Sequence, residues 1–211
     1  MPEILLNVHV VMFCVREDAL HVLLTPAEAE KWQLPGAQVH AEEALEEAAA
    51  RAFVGQIDRQ QVYLEQLYTY GDPGRDPRWR LVSVVYFALV PVDARQESGK
   101  MRWFRLDALP PLAFDHAAIV AYALRRLRYK LEYSAVGFQL LPDEFTLSEL
   151  QHTYEIILGE RLDKRNFRRR ILQAGVIEPS EHMRVGEGRP ARLYRYRPDA
   201  IAEVKARRLF P

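Results

Sequence analysis

The chain has 211 residues, 49% of them hydrophobic and 27% charged, with 29 basic and 29 acidic side chains. This composition is typical of a soluble globular protein with one large domain or two small ones, and the balanced charge identifies no partner. The single cysteine, Cys14, excludes an intrachain disulfide, and its apolar surroundings predict a buried structural thiol. The sequence contains neither a signal peptide nor a run of about 18 apolar residues, so we expect a cytoplasmic protein without a membrane span.

The N-terminal part predicts a mixed α+β domain. Two apolar runs, 4–15 and 19–24, predict a β-hairpin, and Leu34-Pro35-Gly36 predicts a turn. The composition and spacing of apolar residues favour helices over 42–56 and 115–132. Further strands are predicted at 60–70, 79–92 and 101–105.

The C-terminal part is predicted to be a second domain, because Leu140-Leu141-Pro142-Asp143 is typical of a boundary. The two domains are then 1–140 and 141–211. Charge differs between the two parts: residues 1–142 carry 15 basic and 18 acidic side chains, and residues 143–211 carry 14 and 11. The excess of basic side chains suits a C-terminal part that approaches an anion. Its predicted elements are helices over 146–158 and 164–173, a turn-rich hairpin over 176–188, a strand over 189–197 and a final helix over 199–208.

The stretch from Leu34 to Asp58 resembles the Nudix box. Aligned on Leu34-Pro35-Gly36, Ala37 stands at the first Gly of the motif, Glu43 at the first Glu and Arg51 at the Arg, without a gap. The spacing therefore agrees with the family pattern.

The side chains that hold Mg²⁺ in that family are replaced. Ala52 stands where the Glu after Arg belongs, Gly55 and Gln56 stand at the paired Glu positions, and Asp58 replaces the closing Gly. Mg²⁺ is a hard cation that requires oxygen ligands, and only a bound ion would activate water for diphosphate hydrolysis. We therefore expect no catalytic residue and no metal, and we interpret the domain as a ligand sensor.

Further segments resemble the NrtR family of Nudix-related transcriptional regulators. They follow the order of that family and cover most of the chain: LEQLYTYGDP at 64–73, RDPRWR at 75–80, LAFDH at 112–116, FTLSELQ at 145–151, DKRNFRR at 163–169, GRPA at 188–191 and LYR at 193–195.

This resemblance implies a Nudix-like mixed-sheet α/β/α sandwich domain followed by a winged helix-turn-helix domain, and hence a DNA-binding repressor. It further implies a homodimer on a palindromic operator and release from DNA by a nucleotide-sugar such as ADP-ribose, with no cofactor required. The implied targets are genes of NAD metabolism or sugar utilisation.

One segment departs from the family pattern. Thr25-Pro26-Ala27 follows the second strand where many relatives carry a Lys-Arg pair, and Glu28 and Glu30 oppose Lys31 in the same loop. The identity of the effector is therefore open.

The C-terminal residues predict a DNA-binding unit on physical grounds as well. Thr146 and Glu149 have the spacing of a capping box, and Gly159 would end that helix. Asp163 is a suitable N-cap for a second, basic helix, which is the arrangement of a helix-turn-helix. A following strand alternates basic with apolar residues and is interpreted as a wing. The predicted DNA-binding residues are Thr146, Lys164, Arg165, Asn166, Arg168, Arg169, Arg189 and Arg192.

Several side chains of the N-terminal domain are candidates for ligand binding. The turn around Arg75 and Asp76 could hold phosphate or ribose, or its charges could simply order the loop. Core packing is the default for Trp32, Tyr68 and Tyr70, although each could stack on a base. We expect Asp115 to cap the helix that follows it. The predicted ligand-binding residues are Arg51, Arg75, Arg78, Arg80 and Tyr70.

Two other functions stay open at this stage. The first is a Nudix hydrolase that acts on ADP-ribose-like diphosphates and uses Glu43, Glu46 or Glu47 for a displaced metal site, although these side chains are typical of a solvated acidic face. The second is a sensor that binds a partner protein or RNA.

Overall fold

A computed structural model describes residues 4–55, 57–91, 99–185 and 190–200. The chain divides into two compact units, the first ending at Ala123 and the second beginning at Leu124. This division lies within a helix, earlier than the boundary at 140/141, which stays a prediction. In the part that the structure describes, no helix is both long and apolar enough to cross a membrane.

The first unit is built on a seven-stranded sheet. Its hairpin is confirmed, and the long first strand also pairs in parallel with the sixth over ten residues. The order of the main path is β3-β2-β1-β6-β5, while β4 pairs with β1 and β7 pairs with β2. The strands are β1 (Ile4–Arg16), β2 (Ala19–Pro26), β3 (Trp32–Gln33), β4 (Gly36–Gln38), β5 (Tyr63–Tyr70), β6 (Arg80–Leu89) and β7 (Arg102–Arg105).

Alternating residues of β1 bury one face of this sheet. Val8, Val10 and Met12 are fully buried and pack in one cluster with Ala48 and Phe53. Successive side chains of a strand point to opposite faces of the sheet, so these three alternating residues lie on the same face. The helix that carries Ala48 packs against that face. Cys14 belongs to the same cluster and is buried, as predicted.

Two helices belong to this part of the chain, α1 (Leu45–Arg51) and α2 (His116–Tyr133). The helix predicted over 42–56 is thus shorter than expected. It begins where the Glu47 carboxylate accepts the N–H of Ala44 at 3.0 Å, and the chain turns out of it at Gly55, whose φ is +80°. Because glycine adopts positive φ without steric cost, it favours such a turn.

The second unit contains the end of α2, then α3 (Leu147–Leu158), α4 (Lys164–Ala174), β8 (Ile177–Arg184) and β9 (Ala191–Tyr196). The hairpin predicted over 176–188 is confirmed by β8, which pairs antiparallel with β9 although it contains Pro179 and Ser180. A bulge between Pro179 and Met183 accommodates these residues. A short 3-10 turn covers 198–200, and the rest of the predicted final helix lies outside the described residues.

Candidate ligand cleft and nucleic-acid interface

The first unit contains a cleft of about 820 Å³. This volume is within the range of small-molecule sites. Its wall is formed by one end of β1, the loop after β2, the turn around β4, the loop before β6 and the segment that begins α2. Its lining residues include Asn7, His9, Glu28, Lys31, Leu34, Gly36, Arg75, Asp76, Arg78, Phe114, Asp115 and His116.

Two neutral histidines form one side of the cleft. Their ring centroids are 4.9 Å apart, and His116 Nδ1 accepts the N–H of Leu34 at 3.0 Å. Burial lowers the pKa of His116 to about 4, an effect that the nearby Asp115 charge only partly opposes. Burial, with the His116 ring beside it, lowers the pKa of His9 to about 3. Neutral rings at physiological pH allow His116 to keep its acceptor nitrogen for the turn that carries Leu34.

Gly36 is required by the approach of this turn to His9. A Cβ at position 36 would lie 2.6 Å from His9 Cδ2 and 2.9 Å from the carbonyl oxygen of Val8. Both distances are shorter than van der Waals contact, so glycine lets the turn pack directly on β1. The turn signal in the sequence therefore has a specific structural reason.

An ion pair joins the loop before β6 to the start of α2. Arg75 Nε donates to Asp115 Oδ2 at 2.7 Å, and Nη2 donates to Oδ1 at 3.0 Å. Arg75 Nη1 donates to the carbonyl of Tyr70 at 3.1 Å, and its guanidinium lies 5.4 Å from the centre of the Tyr70 ring. Desolvation raises the pKa of Asp115, but the hydrogen bond and charge of Arg75 outweigh it and leave that pKa below its usual value. Asp115 directly precedes α2 and its carboxylate binds Arg75, while a cap of α2 by this side chain stays a prediction.

A second Arg–Asp pair lies beside the first. The Asp76 carboxylate accepts the backbone N–H of Arg78 at 2.9 Å and its Nε at 3.2 Å. The Arg78 guanidinium lies 5.7 Å from the centre of the Phe114 ring and 3.7 Å from the Glu28 carboxylate. About half of the Arg78 side chain remains exposed to the cleft, although Asp76 holds it in place.

Of the predicted ligand residues, Arg75 and Arg78 line the cleft. Arg80 instead donates to the carbonyl of Gly71 at 2.8 Å, and Tyr70 lies beneath Arg75. Arg51 turns toward Glu43, with Nη2–Oε2 at 2.7 Å, and also donates to the carbonyl of Gln38. Sequence reasoning missed His9, Phe114 and His116 as cleft residues, although the LAFDH segment that holds two of them was singled out.

The remaining Nudix-box positions lie just before, on or just after α1. The Glu43 carboxylate is held by Arg51 and the N–H of His40, and the Arg51 hydrogen bond is the main reason its pKa falls to about 2. Glu46 is exposed, Ala52 is buried and Gln56 lies outside the described residues. Over 4–55, 57–91, 99–185 and 190–200, no cluster of three or more His, Cys, Asp or Glu could hold a metal ion.

In the second unit, α3 and α4 form a helix-turn-helix with the predicted caps. Thr146 Oγ1 accepts the N–H of Glu149 at 3.1 Å, and Glu149 Oε2 accepts the N–H of Thr146 at 2.7 Å. Asp163 Oδ1 accepts the N–H of Asn166 at 2.7 Å at the start of α4. Gly159, with φ +76°, ends α3. These caps satisfy backbone groups that would otherwise be left unpaired at the helix ends.

The sides of α4 differ in character. Phe167 and Ile171 are buried, and the Phe167 ring meets Tyr154 of α3 edge-on at 5.6 Å. Lys164, Arg165 and Arg169 are exposed. Anchoring of the apolar side therefore presents the basic side to solvent.

Other predicted DNA-binding side chains also have partners within the protein. Arg168 Nη2 donates to Ser148 Oγ at 3.0 Å, and Arg169 Nη2 donates to Asn166 Oδ1 at 2.8 Å. Thr146 is only 8% exposed, and its hydroxyl serves as the cap of α3. The DNA contacts of these residues stay predictions.

The strands β8 and β9 form an antiparallel ribbon after α4, in the position of a wing. Glu144 ties this ribbon to the segment before α3, accepting from Ser180 Oγ at 2.6 Å and Arg195 Nε at 2.9 Å. The Ser180 hydrogen bond, followed by those of His182 and Arg195, lowers the pKa of Glu144 to about 2. Arg192 is exposed on β9, and Arg189 lies outside the described residues.

A sheet domain with a ligand-sized cleft, followed by a capped helix-turn-helix and a two-stranded wing, defines a winged-helix protein with a sensory domain. The NUDIX domain model matches residues 5–127, and the NrtR DNA-binding winged helix domain model matches residues 137–196. The chain belongs to the NrtR family of Nudix-related transcriptional regulators, which confirms the predicted family and fold class.

Similar proteins agree with this assignment. The ADPR responsive transcriptional repressor NtrR of Acinetobacter baylyi is 38% identical over 92% of this chain and 83% of its own length. The crystal structure of Shewanella oneidensis NrtR complexed with a 27mer DNA has 34% identity and a TM-score of 0.84, covering 93% of this chain and 95% of that chain. The NUDIX domain of the same Shewanella protein, in a cocrystal structure with ADP ribose, has 31% identity and a TM-score of 0.52, covering 60% of this chain and 90% of that chain.

Proposed function

We propose that this chain is a transcriptional repressor that binds operator DNA through α4 and the wing and releases it when ADP-ribose occupies the Nudix cleft. The observation that carries the proposal is the presence, in one chain, of a cleft of about 820 Å³ and a capped basic helix. The relatives that are named for a response to ADP-ribose or solved with DNA or ADP-ribose support the choice of both ligands.

The proposed repressor acts as a homodimer on a palindromic operator, because a two-fold protein reads two-fold DNA. ADP-ribose would then favour the dimer state that does not bind DNA. A coupling of about 1–3 kcal/mol between effector and DNA is typical of such systems. The target genes would belong to NAD metabolism or sugar utilisation.

We further propose that the cleft binds without hydrolysing. Ala52 and Gly55 offer no side-chain oxygen, the Glu43 carboxylate is held by Arg51, and Glu47 accepts the N–H of Ala44. These residues do not fit the Mg²⁺ site of a Nudix hydrolase, which requires several converging oxygens.

The test is a gel shift on the intergenic DNA upstream of the chain's own gene, with and without ADP-ribose. We expect a salt-sensitive complex that ADP-ribose dissociates whether or not EDTA is present. A second assay incubates ADP-ribose with Mg²⁺ and measures AMP. Mg²⁺-dependent turnover that Glu43→Gln removes would support the hydrolase instead, and binding to RNA in preference to this DNA would support the other sensor.

A further inference from the structure

Phe114 is an exposed aromatic residue in an unfavourable backbone conformation at the cleft. Its side chain lines the cleft, half of the residue is exposed, and its φ is +53°. A bulky residue rarely adopts positive φ, because its Cβ approaches the backbone. Burial does not account for this conformation, since half of the residue remains exposed although its ring meets that of His116 at 5.7 Å. Such an outlier at a cleft indicates a role in binding.

The residues on both sides of Phe114 hold this conformation in place. The N–H of Ala113 donates to the carbonyl of Trp32 at 2.8 Å. Asp115 is fixed by its two hydrogen bonds from Arg75, and His116 accepts the N–H of Leu34. The ring is therefore presented to the cleft by a backbone with anchors on each side, which lowers the entropy lost when a ligand binds it.

A planar cation lies over the same ring. The Arg78 guanidinium is 5.7 Å from the centre of the Phe114 ring. The Asp76 carboxylate holds Arg78 in place by accepting hydrogen bonds from its backbone N–H and its Nε. Guanidinium groups and aromatic rings both stack on nucleobases. Arg78 also brings positive charge to this end of the cleft, where an anionic ligand would be attracted.

We propose that Phe114 and Arg78 form a stacking site for the nucleobase of the effector. This inference rests on the proposed function, since it assigns one part of the ADP-ribose molecule to one end of the cleft. The site makes the base a requirement for tight binding, so the cleft distinguishes an intact nucleotide-sugar from a sugar phosphate without a base.

The test compares calorimetric titrations of ADP-ribose and ribose 5-phosphate into the full chain and its variants. Phe114→Gly removes the ring and suits the positive φ, so this variant is expected to fold. It should bind ADP-ribose on the order of ten- to a hundredfold more weakly, as loss of a base stack does. Phe114→Tyr should bind within about threefold of the original chain. Trp79→Ala, which removes an aromatic residue that is 59% exposed and lies outside the cleft wall, is the matched control and should change nothing.

A second readout separates stacking from a merely structural role. The fluorescent analogue 1,N6-etheno-ADP-ribose should change its emission on binding to the original chain and show a smaller change when bound to saturation by Phe114→Gly. Unchanged ADP-ribose affinity in Phe114→Gly, or an equal fold-loss for ribose 5-phosphate, would overturn the stacking site while leaving the proposed function intact. Absence of ADP-ribose binding by the original chain would overturn the proposed effector itself, and this inference with it.

Discussion

Arg75 and Asp115, which belong to separate loops of the first unit, meet in a two-point ion pair with N–O distances of 2.7 and 3.0 Å. The Arg75 side chain is 6% exposed and that of Asp115 is 30% exposed. Because a carboxylate and a guanidinium lose much of their hydration at this depth, each depends on the other for compensation. The pair also sets the position of the segment that carries Phe114 and His116.

Arg75→Ala should lower the free energy of unfolding by about 2–3 kcal/mol, because it leaves a partly buried carboxylate and the Tyr70 carbonyl without their donor. Urea denaturation measures the change. Arg105→Ala is the matched control: it breaks a pair with Asp107 of similar geometry whose side chains are both at least half exposed. That control should cost at most about 1 kcal/mol. Equal losses in the two variants would contradict the structural importance of the Arg75 pair.

His116→Asn should make stability less dependent on pH. The pKa of His116 falls from 6.5 to about 4 on folding, so the folded state binds fewer protons than the unfolded state between these values. Its contribution is complete above pH 6.5, is lost as pH falls from 6.5 to 4, and does not change further below 4. The asparagine oxygen can still accept the N–H of Leu34 but does not titrate in this range.

Urea denaturation of both proteins at pH 7, 6 and 5 tests this expectation. The slope of unfolding free energy against pH should be lower in His116→Asn by up to about 1.4 kcal/mol per pH unit. Both proteins keep a further contribution from His9, whose pKa is lowered in the same direction. Identical slopes would show that the His116 ring is not held neutral by the fold.

Gly36→Ala should destabilise the first unit by about 1–3 kcal/mol, as overpacking does. The added methyl group would meet both the His9 ring and the Val8 carbonyl, and the carbonyl cannot move without distorting β1. Gly74→Ala is the control, because no atom outside its immediate neighbours lies within 4 Å of the Cβ position at residue 74. Thermal melting compares the two, and a Gly36→Ala protein as stable as Gly74→Ala would refute the close approach.

Thr146→Ala should lower the free energy of unfolding by about 1 kcal/mol through loss of the cap of α3, and Thr146→Ser should restore most of it. The reason is the hydrogen bond from Glu149 N–H to the Thr146 hydroxyl at 3.1 Å. Chemical denaturation measures the stability. A gel shift under conditions in which the variant is fully folded then measures its DNA affinity. The predicted DNA contact of Thr146 requires a loss of affinity there as well.

Lys164→Ala combined with Arg165→Ala should weaken DNA binding. The slope of the logarithm of the binding constant against the logarithm of salt concentration should become smaller by up to about 1.8, since each lost phosphate contact removes about 0.9. Both side chains are exposed at the start of α4. The charge-matched control, Arg102→Ala with Arg105→Ala, alters exposed arginines of β7 and should leave both affinity and slope unchanged. Equal effects of the two double variants would mean that α4 is not the recognition helix.

The predictions from sequence succeeded where local chemistry decides the structure. Thr146, Asp163 and Gly159 have the side chains and spacing of helix caps, and each lies where the helix begins or ends. The expected core placement of Tyr68 was wrong, because it lies on the edge strand β5 and is 56% exposed. Its ring meets Tyr70 at 5.1 Å and Tyr122 at 5.8 Å, a surface cluster that no local pattern indicates.

The sequence by itself determined the order of the longer elements, the caps, the basic side of α4 and the oxygen-free side chains of Ala52 and Gly55, because these depend on residue type and short spacing. Only the tertiary structure decided which distant side chains share the cleft. It paired Asp115 with Arg75, buried two histidines against each other, and held Phe114 at positive φ. Such contacts depend on how the sheet brings separate loops together, and their energies outweigh local preference.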